Sequence, residues 1–181
     1  MELIEKTKES TLIFDGKVVH LYCDTVTLPN GGESIREYVK HVGAVCVIPV
    51  TDSGDVILEK QYRYAVGETL IEIPAGKLDS AEENPYEAAL RELREETGII
   101  PDELIELGIY YGSPAIMGEK IHMYMARGLQ FGKDDLDADE FLEVFTIPLQ
   151  RAVELVLQGK ITDGKTQTAL LRAKMMIERG L

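Results

Sequence analysis

The chain has 181 residues, with 19 basic against 32 acidic side chains and a net charge of −13. That length suffices for one domain with its own core, with or without an appendage. A field of this sign argues against nucleic acid and anionic lipid as general partners, and an anionic ligand would need cations or a local Arg cluster to bind.

Residues 1–41 read as strands and turns. Lys17 to Leu28 is rich in Val, Thr and Tyr, Pro29-Asn30-Gly31-Gly32 turns the chain, and Ser34 to His41 returns. VGAVCVIPV, residues 42–50, is almost wholly apolar and predicts a central strand buried on both faces. Asp52 to Asp55 is a turn, Val56 to Tyr62 a strand, and Thr69 to Ile73 a short strand ended by Pro74-Ala75-Gly76. A helix follows, with Asn84 as N-cap, Pro85 at N1 and Gly98 past its end. Its apolar stripe is Tyr86, Ala89, Leu90, Leu93 and Thr97. Strands are expected near Leu104 to Tyr111, Lys120 to Ala126 and Phe141 to Ile147, then helices from Pro148 to Leu157 and from Gly164 to Arg179. The order predicts an α+β domain, a mixed sheet flanked by helices, over 42–181, with a β arm over 1–41.

Cys23 and Cys46 make no disulfide framework; each lies in an apolar run and is expected to be a small buried hydrophobe. No stretch has the length of a membrane span, and MELIEKTKES lacks the basic and then apolar run of a signal peptide, so a cytoplasmic protein is expected.

Chemistry concentrates on the helix from Pro85 to Thr97. Glu92 and Glu96 are i and i+4, and Glu95 borders them; they read as a face opposite the apolar stripe. Like charges at this spacing repel, and anions near a helix C-terminus oppose its dipole. A hard divalent cation would relieve both penalties, and clustered carboxylates suit Mg²⁺ or Mn²⁺. The plain alternative is a solvated acidic face.

From Gly76 the chain runs GKLDSAEENPYEAALRELREETGI. This resembles the Nudix hydrolase signature, carried here by Gly76, Glu83, Arg91-Glu92, Glu95-Glu96, Gly98 and Ile99. One extra residue lies between Gly76 and Asn84. Counted back from Arg91, Glu83 fills the signature position; counted forward from Gly76, Glu82 does. We favour Glu83. Val42 to Gly76, Ser113-Pro114, Lys120-Ile121-His122 and the acidic segment before Phe141 are similar to the ADP-ribose pyrophosphatase branch, and residues 1–40 resemble that branch's dimerisation arm.

The resemblance implies the Nudix fold, an α/β/α sandwich, and hydrolysis of the pyrophosphate of ADP-ribose to AMP and ribose 5-phosphate. It implies Mg²⁺, or Mn²⁺, held by Glu92 and Glu96 with Glu95 and the Ala75 carbonyl. Arg91 is implied to pair with a signature carboxylate; an ordinary surface Arg is the alternative. Glu140 best matches the loop glutamate implied as base or further metal ligand, followed by Asp139 and Asp137. Arg63 and Glu72 resemble ADP-ribose contacts, Arg36 would reach a partner's site in a homodimer, and Ser113, Pro114 and Glu119 would line the terminal ribose. Three rivals stay open: another nucleoside diphosphate sugar or dinucleotide as substrate, a non-catalytic nucleotide sensor, and a structural dimerisation protein.

Overall fold

All six residues of the apolar run from Ala44 to Pro49 are buried. The structure is a computed structural model that describes residues 2–136 and 141–180. In chain order its elements are β1 (Lys6–Asp15), β2 (His20–Thr27), β3 (Glu33–Lys40), β4 (Ala44–Pro49), β5 (Asp55–Arg63), β6 (Glu68–Glu72) and β7 (Ala75–Lys77). Then come α1 (Pro85–Thr97), β8 (Ile99–Tyr110), β9 (Ile121–Phe131), β10 (Leu142–Pro148), α2 (Leu149–Leu157) and α3 (Gly164–Glu178). They divide into two units, Met1–Gly43 with Tyr111–Lys120, and Ala44–Tyr110 with Ile121–Leu181.

In the larger unit β4 is central to a four-stranded sheet of order β7-β4-β9-β8. It runs parallel to β9 and antiparallel to β7, so the sheet is mixed, as expected. Successive strand residues point to opposite faces. Val45 and Val47 therefore share one core with Ala88, Ala89 and Leu93 of α1. Cys46 and Ile48 share another with Ala152 of α2 and Ala169 and Leu170 of α3. An antiparallel sheet of order β10-β5-β6 completes this unit.

Two elements, β7 and β8, differ from the sequence expectation. Residues 75–77, expected only to end a strand, form β7, because Ala75 and Gly76 pair with Cys46 and Val45. β8 starts at Ile99 despite Pro101, since β8 is an edge strand where a missing N–H costs little. Its register shifts between Glu106 and Gly108, and Gly108 holds a positive φ of 103°, which marks a bulge.

The smaller unit is an antiparallel sheet of order β1-β2-β3. Segment 111–120 belongs to it rather than to the domain expected over 42–181: Val39 N–H donates to the Ile116 carbonyl at 2.8 Å, and Gly118 N–H to the Val39 carbonyl at 2.9 Å. Every residue of β1 is exposed. Cys46 is buried as expected, whereas Cys23 is only half-buried.

Candidate active site

α1 forms where its caps dictate. The Asn84 side chain accepts from Tyr86 N–H at 2.9 Å, Pro85 opens the helix, and Gly98 closes it at φ 69°, a conformation glycine adopts without steric cost. The buried residues are Ala88, Ala89, Leu93 and Glu96, while Tyr86 is exposed. This corrects the expected stripe. At about 100° per residue, Glu92 and Glu96 fall between Ala88 and Leu93 on the helix wheel, so the acidic face borders the core rather than opposing it. Glu96 is 2% exposed, and its Oε2 accepts from Ala75 N–H at 2.9 Å. Val47 N–H donates to the Pro74 carbonyl at 2.9 Å, so residues 74–76 are pinned to both β4 and α1.

Glu92 lies against Gly76, where a Cβ would overlap its carboxylate. Arg91 gathers the acids around it. Its Nη1 donates to Glu92 Oε1 at 2.8 Å and to Glu95 Oε2 at 3.2 Å, and its Nη2 donates to Glu83 Oε1 at 3.2 Å. Partial burial disfavours the Arg91 cation, but the neighbouring carboxylates, Glu92 foremost, outweigh this and raise its pKa. Of the two loop glutamates, Glu83 meets Arg91 and also accepts from Asp79 N–H at 2.6 Å, whereas Glu82 is exposed.

Arg63 ends β5 and Glu72 ends β6. Arg63 Nε and Nη2 grip the two Glu72 oxygens at 2.7 and 2.9 Å. Glu72 is 1% exposed, and its Oε2 also bonds Lys165. Burial favours the neutral carboxyl, yet the Arg63 hydrogen bond and the Lys165 charge outweigh it and hold Glu72 below the usual carboxylate range.

These groups meet at a cleft of about 420 Å³ in the larger unit. Arg63, Arg91, Ala75, Gly76, Glu92 and Glu95 line it, together with Gln61, Lys77, Asp79 and Asp135. Asp135 is held there by its N–H, which donates to the Glu95 carbonyl at 2.9 Å. Carboxylates and guanidinium groups thus share one open, polar site. Among the described residues no three acidic, His or Cys side chains are placed together to hold a metal ion; Glu92, Glu95 and Glu83 are instead gathered on Arg91.

A NUDIX domain model matches residues 40–170, and a nucleoside diphosphate sugar hydrolase N-terminal domain model matches residues 5–39. The chain belongs to the Nudix hydrolase family. It is 46% identical to the ADP-ribose pyrophosphatase of Bacillus subtilis over 93% of this chain and 91% of that one. It is 41% identical to the methanol dehydrogenase activator of Bacillus methanolicus over 92% and 90%. A crystal structure of an ADP compounds hydrolase superposes with a TM-score of 0.84 at 20% identity, covering 97% and 95%, and shows the same fold.

Other Nudix residues singled out in the sequence lie elsewhere. In the smaller unit Arg36 makes a two-pronged pair with Glu5, at 2.8 and 2.6 Å. There Ser113 and Pro114 are exposed, the Ser113 carbonyl closes a turn on Met117 N–H at 2.9 Å, and Glu119 Oε1 lies 3.7 Å from His41 Nε2. Glu140, Asp139 and Asp137 fall outside the described residues. Sequence reasoning missed Gln61, Lys77, Asp79 and Asp135 as cleft residues, and Lys165 as the partner of Glu72. Asp135 carried a signal, since it belongs to the acidic segment already noted. Lys77 and Asp79 lie in the quoted stretch that starts at Gly76, and Gln61 shares a strand face with Arg63 at i, i+2; Lys165 carried no signal, because only chain packing brings it to Glu72.

Proposed function

We propose that this chain is a divalent-metal-dependent ADP-ribose pyrophosphatase, which hydrolyses ADP-ribose to AMP and ribose 5-phosphate. One observation carries the reading: Glu92, Glu95 and Asp135 line the same cleft as Arg63, beside the bare backbone of Gly76. Carboxylates alone would repel a diphosphate. Carboxylates that took up a cation, with a guanidinium alongside, would suit it. The relative from Bacillus subtilis bears this activity in its name.

The donor set fits a hard cation, Mg²⁺ with Mn²⁺ as the alternative: carboxylate oxygens beside the half-buried backbone of Ala75 and Gly76. Glu92, Glu95 and Glu96 would hold it with the Ala75 carbonyl and Glu140. Bound there, the ion supplies neutralisation of phosphate charge and acidification of water. Glu140, or Glu95, takes the proton of the attacking water. Arg91 keeps Glu92 and Glu95 oriented, and Arg63 binds the anionic substrate, braced by Glu72. Gly76, Glu83 and Gly98 shape the loop and helix that carry these groups. Arg36, Ser113, Pro114 and Glu119 contribute contacts to the nucleoside and terminal ribose, Arg36 from the arm of a second subunit. The protein acts as a cytoplasmic homodimer joined through that arm. A monomer in light scattering at micromolar concentration refutes the dimer.

The deciding experiment follows hydrolysis of ADP-ribose, ADP-glucose, GDP-mannose and NADH with Mg²⁺, beside the Glu96→Gln variant. Preferred turnover of ADP-ribose, lost in the variant, is expected. Preferred turnover of another compound, still lost in Glu96→Gln, keeps the metal site and replaces the substrate. No metal-dependent turnover of any of them favours the nucleotide sensor.

A further inference from the structure

Lys165 stands in the first turn of α3, with a side chain only 11% exposed. Neither position favours a lysine: the helix dipole repels a cation there, and burial penalises the charge. Such a local conflict points to a task elsewhere. Its Nζ bonds Glu72 Oε2, the oxygen that also accepts from Arg63 Nη2 at 2.9 Å. The lysine is fixed in turn. Asp163 Oδ2 lies 3.1 Å from Nζ and caps α3 through Thr166 N–H at 2.9 Å and Thr166 Oγ1 at 2.6 Å. Thr166 Oγ1 accepts from Ile73 N–H at 3.0 Å, which ties the helix end to the residue after β6. Asp163, Lys165, Glu72 and Arg63 thus form a continuous chain from the end of α3 to the cleft. Of the four, Arg63 alone lines the cleft.

We propose that Lys165 is a positioning residue for substrate binding, which acts through Glu72 to hold the Arg63 guanidinium in the orientation that meets the anionic diphosphate substrate. The inference rests on the reading of Arg63 as a substrate contact. A bidentate pair fixes the guanidinium plane only as firmly as the carboxylate itself is fixed. Lys165 supplies that firmness at Oε2, the oxygen it shares with Arg63 Nη2. Asp163 answers the lysine charge, so the four groups sum to zero and the effect is one of orientation rather than net field.

The test is steady-state hydrolysis of ADP-ribose with Mg²⁺ by Lys165→Met, Lys165→Gln, Arg63→Gln and the double variant Arg63→Gln/Lys165→Met. The single Lys165 variants are expected to raise KM by ~10-fold or more with kcat within ~3-fold of wild type, and Lys165→Arg to restore most of the loss. In the Arg63→Gln background, Lys165→Met is expected to change KM by less than ~2-fold, because the two residues act as one unit. A purely structural lysine gives additive effects in the double variant, which overturns the proposal, as does an unchanged KM in the single variants. If Arg63→Gln alone leaves KM unchanged, the Arg63 reading fails first and the inference falls with it. Asp163→Asn, which keeps the helix cap but removes the lysine's counter-charge, reads the same chain without touching Lys165. A smaller KM rise, again absent in the Arg63→Gln background, is expected from it, and an additive rise counts against the proposal.

Discussion

Arg91 Nη1 lies 2.8 Å from Glu92 Oε1, although adjacent helix residues ordinarily face about 100° apart. The guanidinium curls back over the acidic face to reach Glu92, Glu95 and Glu83 together. All four side chains are less than one-third exposed, so the network is shielded in part from solvent. Arg91→Ala should cost about 1–3 kcal/mol, since it strips charged hydrogen bonds from three carboxylates at once. Urea unfolding measures the loss. Arg91→Lys should recover only part of it, because a lysine cannot span three acceptors with a planar fork. Full recovery by lysine would contradict this geometry.

Gly76→Ala tests the contact between β7 and α1. A Cβ there would overlap the Glu92 carboxylate, so the carboxylate must move. Hydrolysis and Mn²⁺ affinity should each fall by ~10–100-fold, the range typical of displaced metal-site support. Electron paramagnetic resonance titration with Mn²⁺ reads the affinity. Unchanged affinity would mean that Glu92 has no part in holding the ion.

The ion pairs that buried Glu72 makes with Arg63 and Lys165 predict acid sensitivity. Glu72 lies below its ordinary carboxyl value of 4.5 in the folded state. The stability it contributes is complete above that ordinary value and is lost as pH falls through the depressed one. The stability gap between wild type and Glu72→Gln should therefore be constant above about pH 5 and narrow below 4.5. Lys165 has the opposite sign. The charges of Asp163 and Glu72 outweigh the burial that opposes its cation and raise its pKa above the ordinary 10.5, so its contribution holds through neutral pH and fades only above that value. Denaturant midpoints measured from pH 3 to pH 11 decide both.

Leu93 anchors α1 to β4 and has no exposed surface. Leu93→Ala should cost about 2–5 kcal/mol, and Leu90→Ala, at a partly buried site, distinctly less. Equal losses at the two positions would show that the face of α1 turned to the sheet is misassigned.

Much of this molecule is legible in its sequence. Asn84-Pro85 and Gly98 bounded α1 because capping is local chemistry, and the apolar run 42–50 marked the central strand because a strand covered on both faces has no polar side. The glutamates of α1 kept their mutual spacing because the helix sets it. Tertiary structure alone decided the rest. It turned the acidic face toward the core edge and joined segment 111–120 to the N-terminal sheet. It also placed Lys165 on Glu72, 93 residues away along the chain. Local periodicity fixes which residues share a face of one element, but only packing between elements fixes what that face meets, and the cleft is made of such meetings.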